Sequence, residues 1–289
     1  MRVGWLGVLP AVRFMDWVKG AQYRAFLTRG KTRMMQLHFV KQGQGPLVVL
    51  SHALGCDLTM WGGVAAALED RYTVLRYDQR GHGRSAAPDS AYSMDDLADD
   101  AAELIRAQGM GPAHFVGLSM GGMTAQALGA RYPQQVRSLT IANSASHYDA
   151  AARAMWQTRI DTVLAQGVSP IAEGAMQRWF TPEFRADALG GSARVAALRA
   201  VLEATAPAPY AQACDAVARI DLAAGNARIT CPTLVIAGSR DEATPPAMSQ
   251  AIASSIAGAQ LQSLDAAHLS AVEQPEAFAR LLANFWQAL

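Results

Sequence analysis

From Met35 onward, short apolar runs alternate with helical stretches of ten or more residues, and that alternation admits few folds. Leu47–Ser51 (LVVLS) and Tyr72–Tyr77 (YTVLRY) have the length and composition of strands buried on both faces of a sheet. Gln36–Lys41 alternates instead, through Leu37 and Phe39, and reads as an edge strand. Ser93–Ala107 reads as an amphipathic helix, with Met94, Leu97, Ala98, Ala101, Leu104 and Ile105 on one face. Ser93 and Asp96 make a capping box at its start, and Gly109 a stop signal. Further strands are expected at His114–Leu118, Val136–Ala142, Thr233–Ala237 and Leu261–Leu264. Helices are expected over about Met120–Ala130, after Pro246, and over Pro275–Gln287. Strands separated in this way predict a mostly parallel sheet flanked by helices on both faces, an α/β fold. Between Ser146 and about Gln212 strand signals stop and Ala-rich stretches take over, which predicts a helical insertion over the sheet edge.

Composition narrows the function classes. A chain of 289 residues is long enough for one large core, and its formal net charge of +1 argues against nucleic acid as the main partner. Cys56, Cys214 and Cys231 form no C-x-x-C pair, which disfavours a disulfide framework or thiolate zinc site and fits a reducing, cytoplasmic compartment. No apolar run reaches 18 residues, so no transmembrane segment is expected. The near-neutral total conceals an uneven chain. Residues 1–33 carry a formal +6 and the remaining 256 a formal −5. The basic head, with Trp5, Phe14, Trp17 and Phe26 among its apolar residues, reads either as an amphipathic helix on an anionic surface or as a segment extraneous to a body beginning at Met34 or Met35. A signal peptide fits less well, because Arg13 and Asp16 interrupt any apolar core.

The chemistry-bearing residues fall at strand ends. Gly117-Leu118-Ser119-Met120-Gly121 is a G-x-S-x-G between the strand AHFVG and a helix whose near side is Gly121, Gly122 and Ala125. A serine on so sharp a turn needs small neighbours and has a helix N-terminus beneath it, where negative charge is favoured, so Ser119 is the candidate nucleophile. Its hydroxyl needs a base and the base an orienting acid. His268 lies past the last expected strand, at the sheet edge where such groups gather. The acid is Asp241 or Glu242, both following the strand TLVIA; Asp241 is preferred, since Glu242 fits a solvated loop charge. The alternative acid position, after the sixth strand, reads Ala142-Asn143-Ser144-Ala145 and holds no carboxylate. Asp265 reads as a turn residue. Oxyanion donors are expected from the Met120 N–H and from the loop Ser51-His52-Ala53-Leu54-Gly55, with Leu54 assigned and Ala53 the alternative. Asp78-Gln-Arg-Gly-His-Gly-Arg-Ser85 lacks both G-x-G-x-x-G and a P-loop lysine and reads as a structural turn. His38 and His114, on strands, read as structural. No H-e-x-x-H-type spacing occurs, so neither metal nor cofactor is expected.

Together these strings resemble the α/β-hydrolase superfamily over about residues 35–288, and within it the 3-oxoadipate enol-lactonases of the β-ketoadipate pathway of aromatic compound catabolism. The matching strings are SHALGCDLTMW, LRYDQRGHGRS, AHFVGLSMGGMTAQ, QRWFTPEF, PTLVIAGSRDEATPP and AAHLSAVEQPEAF. The resemblance implies a hydrolase domain over 34–289 with a helical lid after the sixth strand, at about 146–212. It implies hydrolysis of a small enol-lactone carrying an anionic acetate arm. The insertion offers Arg159 and Arg178 beside Trp156 and Trp179 for that arm, with Arg159 slightly favoured, although an arginine stem covering apolar surface accounts for either equally well. A carboxylesterase or perhydrolase with the same triad is the rival reading, and a ligand-binding receptor on this fold a second.

Overall fold

The computed structural model describes residues 22–29, 34–188 and 190–289. The body opens with β1 (Gln22–Arg29), β2 (Met34–Gln42), β3 (Leu47–Ser51), α1 (Gly62–Leu68), β4 (Thr73–Tyr77), α2 (Met94–Gln108), β5 (Ala113–Leu118), α3 (Met120–Arg131) and β6 (Val136–Ala142). Six helices follow: α4 (Ala150–Gln166), α5 (Ser169–Trp179), α6 (Pro182–Ala186), α7 (Gly191–Ala204), α8 (Pro207–Ala218) and α9 (Ala223–Asn226). The chain then returns through β7 (Thr233–Gly238), α10 (Pro246–Ser255), β8 (Gln260–Leu264), α11 (Ser270–Glu273) and α12 (Pro275–Gln287).

One sheet runs in the order β1-β2-β4-β3-β5-β6-β7-β8, antiparallel at β1–β2 and β2–β4 and parallel elsewhere. Every residue of β3, β5 and β7 is buried, as their mostly apolar composition favours between two helical layers. Trp61 of the turn before α1 packs edge-on against Phe278 of α12, with ring centroids 5.8 Å apart. The Ser93 capping box forms with Asp96, and Gly109 ends α2 in the left-handed region at φ 65°. Because β3 to β8 are parallel neighbours, the loops after β3, β4, β5, β6, β7 and β8 all leave the same edge of the sheet.

Three boundaries differ from the sequence reading. β2 is not an edge strand: residues 22–29 pair with it antiparallel, from Gln22 opposite Lys41 to Arg29 opposite Met34. Within the basic head, residues 22–29 are thus a strand and not part of an amphipathic helix, because β2 offers an open row of backbone donors and acceptors for them to pair with. The rest of the 1–33 segment lies outside the described residues. The helical insertion also runs past 212, which falls inside α8. Its neck is drawn closed where Leu222 N–H donates to the Ser146 carbonyl at 2.8 Å and His147 bridges Asp221. No helix among the described residues is long and apolar enough to cross a membrane.

Candidate active site

Ser119 sits between β5 and α3 with φ 57° and ψ −115°, a backbone conformation that costs about 1–3 kcal/mol and that its surroundings must enforce. They do so by close approach. A Cβ at Gly117 would overlap the Gly121 carbonyl, and one at Gly121 would overlap the Ser51 carbonyl of β3. Ser119 N–H donates to the Ala142 carbonyl at 2.9 Å, and Ser144 Oγ donates to the Ser119 carbonyl at 2.8 Å.

The loops after β7 and β8 bring two more groups to this turn. His268 Nε2 lies 2.9 Å from Ser119 Oγ, and His268 Nδ1 lies 2.9 Å from Asp241 Oδ2. All three share one hydrogen-bonded row. Asp241 is buried, and burial alone would raise its carboxyl. Yet His268, the backbone N–H of Thr244 and the Asn143 amide hold it down at about 2. Its Oδ1 accepts the N–H groups of Ala243 and Thr244 at 2.8 and 2.9 Å, and its Oδ2 accepts Thr244 Oγ1–H at 2.8 Å. Glu242 is exposed at the pocket wall and Asp265 is exposed in an ion pair with Arg240, so neither stands behind the histidine.

Met120 directly follows Ser119 in sequence, and Leu54 lines the same cavity as Ser119. Met120 opens α3, where an N–H has no acceptor within its helix. In the loop after β3 the Ala53 N–H is taken by Met60 Sδ at 3.4 Å and the Gly55 N–H by His82 Nε2 at 3.1 Å. The Leu54 N–H between them has no acceptor among the described residues. Ala53 and Leu54 thus differ in whether the N–H is already bonded. Of the pair, Leu54 lines the pocket.

A cavity of about 240 Å³ opens over Ser119, His268 and Leu54, and the helical insertion walls it. Trp156, Arg159, Arg178 and Trp179 all line it. The Arg159 guanidinium lies 5.0 Å from the Trp156 ring centre, and Trp156 packs on Tyr148 at 6.0 Å. Burial and the neighbouring Arg159 push the Arg178 guanidinium below its usual range. Neither arginine makes an ion pair among the described residues. The insertion is tied to the histidine loop: Leu269 N–H donates to the Trp179 carbonyl at 3.0 Å, and Glu273 Oε2 accepts Thr181 Oγ1–H at 2.8 Å.

Three residues of the site escape the sequence reading. Asn143, at φ 47°, donates through Nδ2 to Asp241 Oδ2 at 3.0 Å and accepts Ser270 Oγ–H at 2.6 Å. Thr244 braces both Asp241 and His268, and Tyr148 walls the cavity. Only Asn143 carried a signal, as the polar residue at the end of β6, where an acid can also stand.

This geometry has clear kin. The model of the alpha/beta hydrolase fold matches residues 46–275. The chain belongs to the α/β-hydrolase fold family. It is 38% identical over 237 residues to 3-oxoadipate enol-lactonase 2 of Acinetobacter baylyi, covering 82% of this chain and 87% of that one. The crystal structure of the enol-lactonase from Burkholderia xenovorans superposes with a TM-score of 0.83 at 35% identity, over 88% of this chain and 97% of that one. A thermophilic esterase from Thermogutta terrifontis, solved with malate bound, gives 0.85 at 28% identity, over 92% and 98%. Within the family the chain is a carboxylic ester hydrolase similar to the enol-lactonases.

Proposed function

We propose that this hydrolase opens the lactone ring of 3-oxoadipate enol-lactone to give 3-oxoadipate. The observation that carries the reading is one cavity holding the row Asp241–His268–Ser119 together with two arginines that form no ion pair among the described residues. Ser119 Oγ attacks the lactone carbonyl carbon as its proton passes to His268 Nε2. Asp241, held anionic, fixes His268 through Nδ1–H and stabilises the imidazolium. The Leu54 and Met120 N–H groups hold the tetrahedral oxyanion. Its collapse breaks the ring C–O bond and expels an enolate, a better leaving group than an alkoxide; the enolate takes the proton from His268 Nε2 and tautomerises to the ketone. Water then gives a proton to the neutral His268 and attacks the acyl carbon, and collapse of that adduct breaks the acyl–Oγ bond as His268 returns the proton to Ser119.

The acetate arm of this substrate is an anion, and an arginine held over Trp156 is pre-set to receive one. Arg159 takes that role here, with Arg178, Trp156 and Trp179 completing the wall beneath the insertion, which serves as a lid. Arg159→Leu should raise KM for the enol-lactone by about 10- to 100-fold while leaving KM for a neutral p-nitrophenyl ester within about two-fold. Equal losses on both substrates would remove Arg159 from the arm's site. The esterase kinship favours a second reading, a carboxylesterase acting on another acyl group. Turnover of neutral esters with none of the enol-lactone would select it. The lack of any disulfide pair among the described residues fits a cytoplasmic setting.

A further inference from the structure

The turn Asp78–Ser85, glycine-rich and without a role in the steps above, grips the oxyanion loop at three points. His82 Nε2 accepts the Gly55 N–H at 3.1 Å, and Asp78 Oδ1 accepts the Leu58 N–H at 2.8 Å. On the other side of Leu54, the Gln79 N–H donates to His52 Nε2 at 2.8 Å, and Gln79 Nε2 donates to the His52 carbonyl at 2.7 Å. The loop residue carrying the free N–H is thus flanked by clamped residues two positions before it, at His52, and one position after it, at Gly55.

These contacts fix the tautomers. Since Nε2 of each histidine accepts a backbone N–H, its proton is on Nδ1, which His52 donates to the Ala53 carbonyl at 2.8 Å and His82 to the Arg80 carbonyl at 3.1 Å. The two rings meet edge-on with centroids 5.2 Å apart, both fully buried. Burial and each other's proximity make a charged ring costly here, and His82 is held down at about 3. Asp78 is itself anchored, accepting from His38 Nδ1 at 2.8 Å and from the Arg84 N–H at 2.9 Å through Oδ2. Its carboxylate occupies the space a Cβ at Gly83 would need, which accounts for one glycine of the turn.

We infer that His82 and Asp78 are positioning residues for the reaction, holding the Leu54 N–H on the site where the oxyanion forms. The inference rests on the proposed role of Leu54 as oxyanion donor. Losing an oxyanion donor outright costs about 100- to 1,000-fold in kcat, and a donor misaimed but present should cost less.

The test compares His82→Gln, whose side-chain oxygen reaches the place of Nε2 and still accepts from Gly55, with His82→Asn and His82→Leu, which do not. Turnover of p-nitrophenyl acetate, thermal midpoint and the Ki of a phenylboronic acid, which forms a tetrahedral adduct on the serine, are measured on each folded variant. His82→Asn and His82→Leu should lose about 10- to 100-fold in kcat with KM within two-fold, and boronate affinity should weaken by the same factor. His82→Gln should recover most of both. If folded His82→Asn keeps wild-type kcat and boronate Ki, or if only its thermal midpoint falls, His82 is a packing residue and the inference is wrong. His82→Asn, polar and smaller than histidine, keeps the test open should His82→Leu fail to fold. Ser119→Ala separates the underlying reading: an active Ser119→Ala removes the serine mechanism itself, whereas an inactive one beside a fully active His82→Asn overturns only the clamp.

Discussion

Asn143 meets the buried Asp241 from a position where a second carboxylate would face the first. Its side-chain N–H₂ meets Asp241 Oδ2 at 3.0 Å and the Ala267 carbonyl at 3.3 Å, so both of its contacts there need a donor. Its backbone is at φ 47°, in the left-handed region that asparagine and aspartate both accept. Asn143→Asp therefore changes the charge and leaves the backbone alone. At neutral pH two carboxylates would face each other, one would take up a proton, and Asp241 would lose some of its hold on His268. A cost of about 2–3 kcal/mol corresponds to a drop in thermal midpoint of about 5 °C or more, with kcat falling as well. The sign with pH is opposite to that of ordinary acid denaturation: the deficit against wild type should shrink between pH 7 and about pH 4.5 as the introduced carboxyl protonates. A deficit independent of pH would mean that the lost amide donor, and not the added charge, is responsible. This residue also shows where the sequence stops being informative. Ser119 could be read because a strained turn writes itself into small neighbours, and Asp241 and His268 because strand ends mark where loops leave the sheet. Asn143 acts through contacts about 100 or more positions away, and Thr244 joins Asp241 to a histidine 24 positions on, so neither pattern stands out in the sequence.

At the scale of elements, α12 is docked on the sheet partly through a histidine. His114 of β5 donates or accepts at Ser138 Oγ of β6, 2.7 Å away, and stacks on Trp286 of α12 at 4.6 Å, with Tyr72 edge-on to both rings. Burial, with Arg137 nearby, lowers His114 to about 4. The unfolded chain binds a proton at this residue near pH 6.5 and the folded chain does not until near pH 4, so the stability it confers is complete above 6.5 and is lost as pH falls across that window. The slope reaches at most about 1.4 kcal/mol per pH unit for each such group, and His82 adds to it in the same direction. His114→Phe keeps the ring contact and removes the titration. Urea unfolding should find it less stable than wild type at pH 7.5, because Ser138 loses its partner, with the gap closing between pH 6.5 and 4.5. Parallel curves for the two proteins across that range would show that His114 takes up its proton as readily in the fold as in the unfolded chain. The elements themselves were largely legible, since α2 carries its capping box and α12 its apolar face in sequence. The strand 22–29 was not, because its charge and large apolar residues match an interfacial helix equally well and only β2 beside it decides. The end of the insertion was not legible either, because α8 is apolar around most of its surface and shows no break near 212.

For the whole molecule, the uneven charge bears on how the proposed anionic lactone would arrive. The body carries a formal −5, so its long-range field repels an anion, while residues 1–33, at +6, bring the total to +1. Local attraction by the cavity arginines is screened little, because the pair is half-buried, whereas the far field is screened over about 10 Å at 0.1 M salt. The two contributions can be separated by removing residues 1–33. The parallel strands β3 to β8 and the catalytic loops do not depend on β1 for pairing, since β2 retains its register with β4 from Phe39–Tyr77 to Gln42–Val74. The shortened chain should therefore keep kcat on a neutral p-nitrophenyl ester within about two-fold. Its kcat/KM on an anionic lactone should fall about two- to five-fold at 20 mM ionic strength, and the two chains should converge by about 0.5 M, where the Debye length is only a few ångströms. Identical salt dependence in both chains would mean that the far field contributes nothing to capture and that the arginines at the cavity wall act alone.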